Sequence, residues 1–183
     1  LATLDSVVDF KKDTVTFVGT GGSLTETAAG NITAANISLI SDSVSILGTL
    51  HAPSGTIAIA PFTSGAPLTV SGLPAGSTAA LFQFGNATTG DVTLAGGLNL
   101  TGSGANLTIQ AGPAGSIIFN TTVTLDTSKT MKLIGSKGIV ALAAGDSVKG
   151  SGATVVFSNI GGDIGSTVHP FEMDVAHLGN GVD

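Results

Sequence analysis

Short runs in which apolar residues alternate with Ser, Thr or Asn recur along nearly the whole chain. The stretch LISDSVSILGTLHAPSGTIAIAP (residues 39–61) contains two of them, SVSIL and TIAIA, and Gly or Pro follows each run. Such alternation over four to eight residues is typical of a β-strand with one buried face. Residues that favour helices are rare, since the chain has two Glu and two Met against 27 Gly. The pattern therefore predicts an all-β fold.

Fourteen runs fit this pattern, and turn-forming residues lie between them. They are TVTFV (14–18), NISLI (36–40), SVSIL (43–47), TIAIA (56–60), LTVSG (68–72), LFQFG (81–85), DVTLAG (91–96), LNLTG (98–102), NLTIQAG (106–112), SIIFN (116–120), VTLDT (123–127), MKLIG (131–135), GIVALAAG (138–145) and ATVVFSN (153–159). We expect each run to form one short strand.

The spacing of these runs and the similarity of their sequences indicate how the strands are arranged. The most similar runs follow one another on the order of 10 to 20 residues apart, with one wider gap that contains Phe82 and Phe84. A β-sandwich also has short strands, but its strands rarely have sequences as similar to one another as VTL, LTI and LNL. We therefore expect a β-solenoid whose coils stack in parallel about 4.8 Å apart. With ~20 residues in each coil, the chain would form roughly nine coils.

In such a solenoid the apolar residues face inward and the intervening Ser and Thr face solvent. Eight Phe are the only aromatic residues, and most of them stand at inward positions. Asn residues flank many of the runs, where a left-handed backbone or a side-chain hydrogen bond would let the chain turn sharply. These residues are Asn31, Asn36, Asn86, Asn106, Asn120 and Asn159.

Charge and composition narrow the classes of partner. The net charge is −6, and all six basic residues are Lys, so the guanidinium groups that recognise phosphates and base edges are missing. We therefore expect no nucleic-acid partner and no anionic membrane surface. No apolar run approaches the roughly 20 residues of a spanning helix, so we expect no membrane insertion. Without Cys, the chain has no disulfide framework and no thiol chemistry.

The last stretch, GGDIGSTVHPFEMDVAHLGNGVD (161–183), departs from the repeating pattern and contains two of the three His residues. We therefore divide the chain into a β-helical shaft at 1–160 and a divergent terminal coil, cap or linker at 161–183. The second part also holds weak candidates for metal ligands, because imidazole and carboxylate groups bind Zn²⁺ and similar ions. The candidates are His169, Glu172, Asp174 and His177, with Asp163 nearby, but they lack the tight spacing of a metal motif, and we expect no metal or other cofactor.

Three stretches resemble a known family: GNITAANISLISDSVSILGTLHAPSGTIAIAP (30–61), GDVTLAGGLNLTGSGANLTIQAGPAGSIIF (90–119) and GGDIGSTVHPFEMDV (161–175). They are similar to parts of the filamentous-haemagglutinin-like adhesins, large bacterial exoproteins of two-partner secretion, and of related autotransporter passengers. IGSTVHPFEMDV (164–175) is similar to an Ile-Gly-x-x-x-x-Pro element of such exoproteins. The resemblance covers about residues 30–160 and implies a right-handed parallel β-helix that is exported across the outer membrane.

The resemblance also implies a function. The Asn-Pro-Asn-Gly-Ile motif of the family's secretion domain is absent, so we expect an internal shaft segment of a secreted or surface-displayed adhesin. Such a segment is not an enzyme, and contacts with a host cell, a neighbouring cell or the matrix would come from other parts of a longer chain. Some members of this family are glycosylated at N-x-[ST] sequons. The six sequons here begin at Asn31, Asn36, Asn86, Asn99, Asn106 and Asn120.

Three other functions remain open at this stage. An exposed end coil is a strand edge, so copies could join end to end into an extracellular filament or sheath. Parallel β-helices also include polysaccharide-acting enzymes, which would need paired carboxylates, but Asp42, Asp91, Asp126 and Asp146 are single acids far apart in the sequence. An ice-binding surface would need a Thr-x-Thr in every coil, and this chain has no such ladder.

Overall fold

The structure, a computed structural model, describes residues 2–4, 6–28, 30–145 and 147–180. Within these ranges the chain forms strands, turns and bends, and no helix. The predicted all-β class is confirmed. Because there is no helix among the described residues, none of them belongs to a helix that is long and apolar enough to cross a membrane.

Seventeen strands follow one another along the described chain. They are β1 (Ala2–Leu4), β2 (Val8–Asp9), β3 (Thr14–Glu26), β4 (Ile32–Thr33), β5 (Asn36–Ile46), β6 (Leu50–Ala60), β7 (Leu68–Val70), β8 (Thr78–Gly85), β9 (Val92–Leu94), β10 (Leu98–Asn99), β11 (Asn106–Gln110), β12 (Ile117–Phe119), β13 (Val123–Thr124), β14 (Thr130–Ile134), β15 (Ile139–Ala141), β16 (Ser147–Ser158) and β17 (Glu172–Asn180). All the pairings between them are parallel, as in a solenoid whose turns stack in register.

The length of each turn follows from these pairings. Ile37 lies beside Ile57, so the numbering advances by 20 over that turn (57 − 37), and Ile57 lies beside Phe82, where it advances by 25 (82 − 57). Phe82 then lies beside Leu107, and Leu107 beside Met131, which gives steps of 25 (107 − 82) and 24 (131 − 107). The β-solenoid is confirmed, but it has about seven turns. The expected nine coils were too many, because most turns are longer than that expectation assumed.

Each turn passes through three faces, which we number in chain order. Face 1 contains residues 14–19, 36–40, 56–60, 81–85, 106–110, 130–134, 154–158 and 177–180. Face 2 contains residues 2–4, 23–26, 43–46, 68–70, 92–94, 117–119 and 139–141. Face 3 contains residues 8–9, 32–33, 50–52, 78–79, 98–99, 123–124, 147–150 and 172–175. The handedness of the winding stays a prediction.

The core runs through the middle of the stacked turns. On face 1, Phe82 is fully buried between Ile57 of the preceding turn and Leu107 of the following one. The alternation is regular on β11, where Leu107 and Ile109 are buried and the residues between and beside them are not. Burial of such side chains stabilises the fold by about 1.5–3 kcal/mol each. The predicted inward phase of the apolar residues is confirmed on this face.

Five strands are longer than the runs predicted for them, namely β3, β5, β6, β8 and β16, and most of the others are shorter. Two runs expected as separate strands, at 36–40 and 43–47, form the single strand β5, which bends from face 1 to face 2. In the segment after residue 160, Ile164 forms a parallel bridge with Ile139, and β17 pairs in parallel with β16. Described residues of this segment thus stack on the solenoid. The domain boundary near Gly161 stays a prediction.

Candidate functional site

The single acids of the solenoid body bind backbone amides of neighbouring turns. Asp42 accepts hydrogen bonds from the Thr63 backbone N–H at 2.7 Å and the Thr63 hydroxyl at 2.6 Å. These bonds favour the carboxylate and hold the pKa of Asp42 below its usual value. Asp91 accepts one from the Ser116 N–H at 2.8 Å. Both side chains therefore fasten a turn of the chain to its neighbour.

Asp126 has the same role at another corner. Its two carboxylate oxygens accept hydrogen bonds from the Gly102 and Gly104 N–H groups at 2.8 and 3.0 Å. These bonds lower the pKa of Asp126, as expected for a carboxylate that accepts from backbone amides. The fourth acid considered for catalysis, Asp146, lies outside the described residues.

The candidate metal ligands do not converge. Glu172 and Asp174 are exposed outward positions of β17 on face 3, whereas His177 lies on face 1 beside Thr154. His169 stands in the preceding bend, where its backbone N–H bonds to the Ser166 hydroxyl at 2.9 Å. In the part of the chain that the structure describes, no three His, Cys, Asp or Glu side chains are grouped closely enough to hold an ion.

Most of the sequon asparagines take part in the hydrogen bonds of turns. Asn31 accepts from the N–H and hydroxyl of Thr49, and Asn106 accepts from the Thr130 N–H, so both connect neighbouring turns. Asn36 accepts from the Thr56 N–H at 2.9 Å and donates through Nδ2 to the Thr14 hydroxyl at 3.2 Å. These three Asn residues therefore form side-chain hydrogen bonds as expected, but the bonds connect successive turns and do not close a corner within one turn.

The other three sequons differ in their surroundings. Asn86 and Asn99 each accept bonds from the backbone and hydroxyl of the Thr two residues later, which closes a local turn. Asn86 is half-buried, whereas Asn99 and Asn120 are exposed. Asn159 is outside the sequons and is the Asn with a left-handed backbone among the described residues, with φ 52°.

Glu26 is a buried acid that the sequence analysis did not single out. Its side chain is only 4% exposed, and neither carboxylate oxygen makes a hydrogen bond of good geometry within the described residues. Burial raises the pKa of Glu26 to about 7, and the backbone N–H of Gly48 opposes this rise. A cavity of ≈ 10 Å³ lies beside the carboxyl, at the lower limit for one water molecule. Alternation could have indicated this inward acid, since Leu24 and Glu26 share one phase.

A groove interrupts face 2 between residues 43–47 and 68–74, and we call it the face-2 groove. Its volume is ≈ 510 Å³, within the usual range of ligand sites. Its walls come from β5 and β7, its floor includes Ile59, and Leu47 stands at its rim with 62% of the side chain exposed. Sequence reasoning missed this feature, because a missing pairing between two strands leaves no periodic signal.

A comparison of the chain with protein-family models, with curated proteins and with solved structures found no match in any of the three. The fold and the surfaces described above are therefore the basis for a functional proposal.

Proposed function

We propose that this chain is a structural segment, a stiff β-helical shaft of a secreted or surface-displayed bacterial adhesin. The observation that carries the proposal is the buried ladder of face 1, where apolar side chains stack from β3 to β16 without a break. Such stacking makes each turn depend on its neighbours and gives an elongated body. In this role the chain holds other parts of a longer protein away from the cell.

The side-chain hydrogen bonds between turns support a mechanical role. Three acids bond to backbone amides of a neighbouring turn, and three amide side chains do the same. They are Asp42, Asp91, Asp126, Asn31, Asn36 and Asn106. Three of the four acids considered for catalysis are thus engaged in fastening one turn to the next. We propose no catalytic residue and no cofactor. Contacts with a host cell, a neighbouring cell or the matrix would belong to other parts of the protein.

The length of the intact gene product tests this proposal. A shaft segment should belong to a reading frame several times longer than this chain, in which the same alternating apolar and polar runs continue. Cells that produce the intact protein should display the segment to an antibody without permeabilisation. A reading frame that holds only these turns, or a product that stays inside the cell, would contradict the proposal.

A filament subunit is the second candidate, and β17 is the observation that favours it. Within the described residues β17 pairs with β16 on one edge and with no strand on the other, and its Leu178 is 65% exposed. An open strand edge of this kind tends to pair with another chain. Electron microscopy of the purified segment separates the candidates, because a subunit would form fibres and a shaft segment would give single short rods.

A further inference from the structure

The face-2 groove begins where the ladder of face 2 is interrupted. On face 1, β5 and β6 of the same two turns pair directly, with Ile37 beside Ile57. On face 2, the corresponding segments 43–46 and 68–70 belong to successive turns but do not pair. The loop PFTSGAP (61–67) precedes β7 and has a Pro at each end. Proline donates no backbone hydrogen bond, so Pro61 and Pro67 supply no donor to a ladder.

The backbone on both walls is left open toward the groove. The N–H of Leu47 bonds to the carbonyl of Glu26, so Leu47 and Ser45 direct their backbone groups toward β3. Since successive residues of a strand point their amides to opposite sides, Val44 and Ile46 direct theirs into the groove. On the other wall, Leu68 and Val70 bond to the turn that contains β9, so Thr69 directs its N–H and C=O into the groove.

The side chains that line the groove are uncharged. Val44, Ile46 and Leu73 are half-buried apolar residues, and the remaining lining consists of Ser, Thr, Gly, Pro and aliphatic residues. Although the chain has a net charge of −6, the lining of the groove presents no charged side chain to a bound partner. A charged occupant would lose hydration without finding a counter-ion, so electrostatic complementarity favours an uncharged one.

We propose that the face-2 groove binds an extended, uncharged peptide strand that completes the interrupted ladder. The strand would form backbone hydrogen bonds with Val44 and Ile46 on one side and with Thr69 on the other. Alternate side chains of the strand would contact Ile59 and Leu73. This is recognition by strand addition, in which backbone bonds supply affinity and side-chain contacts supply selectivity. This proposed binding is independent of the proposed shaft role, since the stacked turns would form the same rod without a bound peptide.

A labelled peptide tests the proposal with the protein as it exists. The probe copies residues 106–111 (NLTIQA), is uncharged, and carries an acetylated N-terminus with a fluorophore and an amidated C-terminus. We expect a saturable rise in fluorescence anisotropy as the protein is added. The control peptide has N-methyl groups on its Leu and Ile, which remove the donors along one edge but keep the side chains. We expect it to bind at least about tenfold more weakly.

Two protein variants locate the binding. Leu47→Asp places a charge at the rim of the groove and should weaken binding of the unmethylated peptide about tenfold. Val7→Asp is the matched control, because Val7 is 67% exposed and does not line the groove, and its binding should equal that of the unchanged protein. Melting curves of both variants must match that of the unchanged protein, which is expected at such exposed positions.

Three results would overturn the proposal. One is no saturable binding at millimolar peptide, and another is equal binding of the methylated and unmethylated peptides. The third is self-association of the protein that Leu47→Asp abolishes in analytical ultracentrifugation. That result would assign the groove to a second copy of the chain.

Discussion

At the scale of single residues, the fold depends on which side chains point into the solenoid. Alternation predicted most of them correctly, because a strand places every second side chain on the same face. Glu26 also occupies an inward position and, at 4% exposed, is even more buried than the apolar Leu24 two residues before it, which is 7% exposed. Residue type alone does not predict an acid at an inward position, and burial raises the pKa of Glu26 there.

Phe82→Ala should be among the most destabilising substitutions in the core. Phe82 has no exposed surface and stacks between two turns, so its removal leaves a cavity and should lower the free energy of unfolding by about 3–5 kcal/mol. Phe62→Ala is the control, because Phe62 is 47% exposed. Its effect should stay within about 0.5 kcal/mol. Urea denaturation of both variants measures the difference, and equal effects would contradict the assigned core.

Glu26 should make stability depend on pH. Its pKa rises from 4.5 to about 7 in the fold, so the folded state holds the proton more tightly than the unfolded state does. The stabilisation that Glu26 adds to the free energy of unfolding is therefore fully present below about pH 4.5. It decreases as the pH rises to about 7 and does not change further above that pH.

Urea denaturation between pH 4.5 and 8 measures this dependence. Glu26→Gln should flatten the profile in that window, whereas Glu172→Gln, at an exposed site, should leave it unchanged. Asp42 and Asp126 have lowered pKa values, so their contributions are lost only as the pH falls below about 3.8 and lie outside the window. If the free energy of unfolding of Glu26→Gln depended on pH as strongly as that of the unchanged protein, the assignment of Glu26 as the titrating buried acid would be wrong.

At the scale of elements, the strands were more predictable than the connections between them. β11 and β12 coincide closely with the runs NLTIQAG and SIIFN, because turn-forming residues bound both runs. Their place in the turn was not predictable, since nothing in either run marks the face on which it lies, and β11 lies on face 1 whereas β12 lies on face 2. Some neighbouring runs lie on different faces of one turn, and others lie on the same face of successive turns. The spacing between runs therefore did not give the length of a turn.

The corners between faces require close contact of successive turns, and Gly115 shows this. A Cβ atom at Gly115 would overlap the carbonyl oxygen of Gly90 in the preceding turn. Gly115→Ala should therefore lower the free energy of unfolding by about 1–3 kcal/mol. At Gly97 the nearest atom to an added Cβ would be the Thr121 hydroxyl oxygen at 3.8 Å, so Gly97→Ala should be neutral or slightly stabilising. A thermal melt compares the two, and equal stability would contradict the stacking at this corner.

At the scale of the whole molecule, the central feature is a stack of parallel turns with one continuous core. The all-β class and the solenoid were predictable from the repeated short runs, whereas the number of turns was not. The face-2 groove arises from the relation between two turns, and no single run of residues specifies it. For the same reason, the proposed rod function rests on the assembled stack and not on any single motif.

Cross-linking between neighbouring turns tests the stacked solenoid most directly, because the natural chain has no Cys. Thr93 and Ile118 belong to successive turns and lie side by side on face 2. Strands in a sheet are about 4.8 Å apart, which is within reach of a disulfide. The double variant Thr93→Cys with Ile118→Cys should therefore form an intramolecular disulfide under mild oxidation, detected by mass spectrometry. Thr93→Cys with Val140→Cys, two turns apart, should stay reduced. Cross-linking of Thr93→Cys with Ala114→Cys instead, as a turn of about 20 residues would give, would contradict the register on which the whole account depends.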